Sequence, residues 1–207
     1  MMASRTIPVG ATSQLACRRA HKATALIWLV PVAALLLPIA EVSSQEAAAA
    51  SAPAARAEDV RSVDAILGAL YDVISGPAGK QRDWDRFRSL FAPGARLIPT
   101  GRRPDGSHAM RVLTPEDYIR TAGPNLERNG FFEREIGRTV EEFGGMVHAF
   151  SAYDSRRAAN DAQPFARGIN SIQLVNDGTR WWIVTVLWAS EGPNQQIPER
   201  YLRPPGR

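Results

Sequence analysis

The chain has 207 residues, with 25 Lys and Arg against 21 Asp and Glu. Residues 1–40 hold four of the basic residues (Arg5, Arg18, Arg19, Lys22) and no acidic one, so the remainder is balanced at 21 of each sign. No basic stripe is left to displace counterions from a phosphate backbone, which excludes nucleic acid as a partner.

Arg18-Arg19-Ala20-His21-Lys22 precede an apolar run from Ala23 to Ala40, followed by small and polar residues. This is the layout of a secretory signal, and Pro31 and Pro38 favour cleavage over an uncleaved anchor. The expectation is export, to the periplasm or the medium, with residues 1–44 as signal peptide or anchor. Cys17, the only cysteine, lies before the apolar run, so a processed chain has no thiol for disulfides or metal ligation. Residues 45–58 read as an Ala-rich linker.

Asp59 is the expected cap of a first helix in which Val63, Ile66, Leu67, Leu70, Val73 and Ile74 recur at helical spacing. Gly76-Pro77 stops it. Asp83 caps a second helix with Trp84, Phe87, Leu90 and Phe91 on one face, ended by Ala92-Pro93-Gly94. Ala95–Pro99 and Ala109–Leu113 are expected as short strands around a polar loop. Thr114-Pro115-Glu116-Asp117 is a helix start, with a hydroxyl cap, Pro at the first position and acids in the first turn. Gly123-Pro124 should kink or shorten that helix before Asn129-Gly130.

Strands follow: Phe131–Phe143, Met146–Tyr153, and a hairpin of Phe165–Val175 and Trp181–Glu191 around Asp177-Gly178. Glu133, Glu135, Glu141 and Glu142 alternate with Arg134 and Arg138 and read as solvated strand or interface charges. The domain is expected over 59–195, with a disordered tail at 196–207. Helices early and strands late indicate an α+β fold with helices on one face of a curved antiparallel sheet. A pocket between the two layers is a natural small-molecule site.

Leu90-Phe91-Ala92-Pro93-Gly94-Ala95, the Thr114 helix start, and Arg167–Leu174 leading to Trp181-Trp182-Ile183-Val184 resemble the nuclear-transport-factor-two-like superfamily, which includes ketosteroid isomerase and SnoaL-like proteins. The resemblance spans roughly residues 60–192 and implies a cone-shaped sheet with three helices on its concave face. It also implies site positions. The isomerase tyrosine falls on Tyr71, the acid of the oxyanion hole on Asn170, and the proton-moving aspartate at or beside Pro99, which cannot exchange a proton.

Strand alternation then groups Met146, His148, Phe150 and Ala152 on one face. It groups Gly168, Asn170, Ile172 and Leu174 on another, and Trp182, Val184, Val186 and Trp188 on a third. By the resemblance these faces line the pocket. The candidate catalytic residues are His148, Tyr71 and Asn170, and the candidate binding residues are Trp84, Phe91, Met146, Phe150, Trp182 and Trp188. His148 and His108 have no metal-ligand spacing, and neither metal nor cofactor is expected.

The leading reading is a domain that binds a small apolar molecule without a catalytic base. The alternatives are a lyase, isomerase or hydrolase using His148 as acid/base, and a dimerisation module. In that module Trp181, Ile183 and Thr185 form the contact on the outer face. A homodimer is expected.

Overall fold

The structure is a computed structural model and is described for residues 53–103 and 105–203. The expected signal segment lies outside these residues. The first helix divides into α1 (Ala57–Val60) and α2 (Val63–Ile74). Ser62 caps α2, its hydroxyl accepting from the Ala65 amide at 3.1 Å. Asp59 is therefore not the cap. It is buried inside α1, and its two carboxylate oxygens accept from Arg86 at 2.7 and 2.8 Å.

Asp83 does cap α3 (Trp84–Ser89), accepting from the Arg86 amide. β1 (Phe91–Arg102) begins earlier and ends later than expected. The Ala92-Pro93-Gly94 turn signal is absorbed as an irregularity in pairing between Phe91 and Arg96, with Gly94 at φ 78°. Glycine reaches that conformation without steric cost, so the strand resumes instead of stopping. Part of the expected loop pairs as the far end of β1 with β2 (His108–Met110).

α4 (Pro115–Asn129) carries the capping box of Thr114 and Asp117, and it continues through Pro124. Its last turns are tied to the α2–α3 connection. Arg82 donates to the Leu126 carbonyl, and both the Arg82 amide and the Trp84 indole donate to Glu127. These contacts offset the single backbone hydrogen bond that a proline removes.

The strands β3 (Phe132–Phe143), β4 (Met146–Arg156), β5 (Ala166–Asn176) and β6 (Trp181–Ser190) complete a curved, open six-stranded sheet of order β2-β1-β6-β5-β4-β3. Its α+β architecture is the one expected from the sequence. The sheet is mixed, however: β1 runs parallel to β6, while the other pairs are antiparallel. At the β5–β6 turn the Asp177 carboxylate accepts from the Thr179 and Arg180 amides, and Gly178 takes φ 94°.

Ile66, Leu67, Phe87, Leu90, Val147, Ile172, Leu174 and Ile183 are fully buried between helices and sheet. Burial of each stabilises the fold by about 1.5–3 kcal/mol before entropy is counted. Where a disordered tail was expected, a 3₁₀ turn (Glu199–Tyr201) packs on β3 and β4.

Candidate functional site

Directly opposed residues form rows across the inner face of the sheet. One row runs Arg138–Ser151–Asn170–Trp188–Pro99, and another Glu135–Tyr153–Gly168–Ser190. In a third, Glu133 faces Ser155, which faces Ala166. Above these rows α2, α3 and α4 enclose a cavity of about 250 Å³. Its walls include Leu70, Ile74, Tyr118, Leu126 and Trp188, and its polar groups include Glu133, Ser155 and Asn170.

Glu133 and Glu135 stand two apart on β3, so their side chains share a face, and that face is the inner one. Glu133 accepts from Ser155 Oγ at 2.9 Å and from Asn170 Nδ2 at 3.3 Å. Asn170 Nδ2 also donates to the Tyr71 hydroxyl at 3.1 Å. The Tyr71 and Ser151 hydroxyls are 2.7 Å apart, and Ser151 donates to Glu135 at 2.5 Å. With its proton committed to Glu135, Ser151 accepts from Tyr71. The chain of donors therefore runs Asn170 to Tyr71 to Ser151 to Glu135. Both Asn170 amide protons and the Tyr71 proton are used within the protein, so neither residue has a proton free for an oxyanion in this arrangement.

Electrostatics follow from burial. Desolvation pushes the Glu133 carboxyl up to about 7; the hydrogen bonds from Ser155 and Asn170 oppose this by favouring the anion, and the Asp154 charge adds to it. Desolvation also raises Glu135, against the Ser151 hydrogen bond and the Arg138 charge. The Tyr71 and Tyr118 phenols are pushed far up by burial and, second, by the Glu133 charge in Tyr118 and Tyr71 alike. Tyr153, which hydrogen-bonds Ser190 at 3.1 Å, is pushed up to about 12, mainly by burial. Glu133 is thus the cavity group whose charge changes near neutral pH. It also borders a second, wider depression of about 600 Å³ between α2 and β3, lined by Asp64, Tyr71, Glu135 and Arg138.

Of the sequence-derived site residues, Asn170 and Trp188 line the cavity, and Tyr71 hydrogen-bonds Asn170 beside it. His148 does not reach it. Val147, Ala149, Ser151 and Tyr153 take the inner face of β4, one residue out of step with the expected set. His148 instead hydrogen-bonds Ser171 Oγ at 2.9 Å on the outer face and lies 3.6 Å from Glu141. Met146, on the same outer row, is 60% exposed, and Phe150 packs on Tyr201.

A register shift in the β5–β6 pairing puts Val184 out of sequence, so Ile183, Val186 and Trp188 point inward. Trp182 points outward, donating to Asp177 at 2.6 Å beneath the Arg180 guanidinium. Ile183 and Trp181 accordingly belong to or pack on the core, not the outer face. Phe91 is in the core beside Phe87, and Trp84 fills the α3–α4 contact beside Gly123.

Charge alternation on a strand reads as solvated, yet the fold turns Glu133 and Glu135 inward. The legible signal was their i, i+2 spacing, matched on β4 by hydroxyls at Ser151, Tyr153 and Ser155. Glu141 and Glu142 are exposed as expected. Among the described residues, no group of three or more His, Cys, Asp or Glu side chains is placed to hold a metal ion.

No protein-family model and no curated protein matches the chain. Solved structures do. The chain is similar to a nuclear transport factor 2-like superfamily protein from Salmonella enterica serovar Typhimurium (15% identity, 64% of this chain and 90% of that one, TM-score 0.44). It is similar to an NTF2-like protein of unknown function from Shewanella baltica (13%, 61% and 89%, TM-score 0.39). It is also similar to a cystatin-like-fold protein of unknown function from Nostoc punctiforme (10%, 64% and 90%, TM-score 0.46). NTF2-like proteins recur among the solved structures it resembles.

Proposed function

We propose that the domain binds a small, mostly apolar molecule in the cavity between its helices and its sheet. The observation that supports this is an apolar cavity of about 250 Å³ with a few convergent polar groups at one end. A cavity of about 150 Å³ accommodates benzene, so this volume accommodates roughly ten non-hydrogen atoms. Mass spectrometry of an organic extract of the purified protein, or a thermal-shift screen of small aromatic compounds, is expected to reveal a ligand. Ala166→Leu, which fills the cavity wall, should abolish the shift. A shift that persists in that variant would place the ligand elsewhere.

A second reading, acid–base catalysis, is favoured by one observation: a carboxyl that titrates near neutrality borders the cavity. Such a group is protonated and deprotonated in comparable amounts at working pH, as a general acid or base requires. In this reading Glu133 takes the role that the sequence offered to His148. On a discovered substrate, Glu133→Gln should lower turnover by about 100-fold or more while His148→Ala leaves it unchanged. The opposite pattern removes this reading.

Export and self-association belong to the proposal as well. Export rests on the signal pattern in residues 1–44. A homodimer is supported by Met146, Val175 and Leu187, which are exposed apolar groups on the outer strand face. A monomer by light scattering at high concentration would remove the dimer.

A further inference from the structure

Among the described residues, the cavity pairs aromatic walls with an anion that has no counter-ion there. Phe87, Tyr118, Phe131, Tyr153, Phe165 and Trp188 all line it, and among the described residues no Lys, Arg or His does. The partners of Glu133 within the protein, Ser155 Oγ and Asn170 Nδ2, are neutral donors. The guanidinium groups of Arg134 and Arg156 are held by Asp154, and that of Arg138 pairs with Asp64 and, at 3.6 Å, with Glu135. A carboxylate offers about four lone-pair sites, and two protein donors occupy two of them. When ionised, the cavity therefore holds a partly unsatisfied negative charge against aromatic rings. An alkylammonium group fits both features: it donates to the free lone pairs and is attracted by the ring quadrupoles. Phe165 already carries the Arg157 guanidinium 4.2 Å from its centroid.

Taking the cavity to be a small-molecule site, as proposed above, we infer that its ligand is an organic cation: an apolar body with a protonated amine that pairs with Glu133. A neutral alcohol of the same shape supplies only an uncharged hydrogen bond. A carboxylate is repelled.

The groups around Glu133 leave its titration distinct. Asp154 stays ionised beside Arg156 and Arg134, and Tyr71, Tyr118 and Tyr153 stay neutral. Glu135 lies at the far end of the hydroxyl chain and is paired with Ser151. With Glu133 titrating at about 7, its ionised fraction falls roughly 30-fold from pH 8 to pH 5.5. Affinity for an amine should fall in step, while affinity for an alcohol stays level.

The test is calorimetric titration of the purified protein with 2-phenylethylamine, 2-phenylethanol and phenylacetate. The amine should bind about tenfold or more tightly than the alcohol at pH 8, and phenylacetate most weakly. Glu133→Gln should erase the preference for the amine and retain binding of the alcohol, which also reports that the variant is folded. The wild-type pH dependence gives the same answer without a variant. If the amine binds wild-type protein no more tightly than the alcohol, or keeps its advantage in Glu133→Gln, the cation assignment is overturned while the cavity reading stands. If none of the three binds wild-type protein, both are overturned.

Discussion

Replacing Glu133 with glutamine keeps the side-chain shape and removes only its ability to ionise. In the folded protein the carboxyl titrates at about 7, raised from 4.5 chiefly by burial. Between these values the native state keeps a proton that the unfolded chain has released, so stability falls as pH rises through the window. The contribution is complete below 4.5 and lost above about 7. A shift of this size corresponds to roughly 3 kcal/mol, at about 1.4 kcal/mol per unit. Gln cannot ionise, so the variant escapes the loss. Its Oε1 still accepts from Asn170, and the Ser155 hydroxyl turns to accept from the new amide. The two proteins should have similar stability near pH 4.5. At pH 8 the variant should be more stable by roughly 3 kcal/mol, which for a domain of this size is roughly 6–12 °C in Tm. Shifted carboxylates elsewhere, such as Glu135 and Asp59, are common to both and cancel in the difference. Thermal denaturation of both proteins from pH 4.5 to 8 reads this directly. Parallel curves across the range would refute the account of Glu133 as a buried carboxyl without a counter-ion.

Three other substitutions test the surrounding geometry. Tyr71→Phe leaves one Asn170 amide proton without its acceptor in a buried site, and should cost about 1–3 kcal/mol in urea denaturation. A cost near zero would mean the hydroxyl chain is not formed. Gly168→Ala places a Cβ 2.3 Å from the Ala189 carbonyl and 2.5 Å from the Tyr153 hydroxyl. It should destabilise the β5–β6 pair by about 2 kcal/mol or more and alter the near-ultraviolet spectrum of Tyr153. A wild-type melt would contradict the close packing of Tyr153 over Gly168. His148→Ala should change stability by less than about 1 kcal/mol and leave cavity binding intact. Loss of ligand affinity in that variant would show that His148 reaches the site after all.

Much of the architecture was legible because local chemistry specified it. The Asp83 cap, the Thr114–Asp117 box and the Asp177-Gly178 turn each depend on residues within a few positions of one another, and each forms where expected. Four long strand runs after the helices sufficed for an α+β reading. That Asn170 and Tyr71 share one site came from the family resemblance, not from spacing, since 99 residues separate them.

Side-chain facing was the part that needed tertiary structure. Period-2 alternation tells which residues share a face and leaves open which face is covered. On β4 both phases looked apolar, and only the helices overhead selected Val147, Ala149, Ser151 and Tyr153 over Met146, His148 and Phe150. On β6 a register shift broke the alternation itself, separating Trp182 from Trp188. Glu133 shows the same limit for charge. In sequence it stands in an alternating acidic and basic run, and the fold turns it onto the inner face, where burial, with the Asp154 charge adding to it, moves its titration toward neutrality. The sequence by itself determined the elements and their order, because caps, turns and periodicity act locally. Which carboxyl became the cavity's polar group was decided only when helices from one half of the chain covered strands from the other.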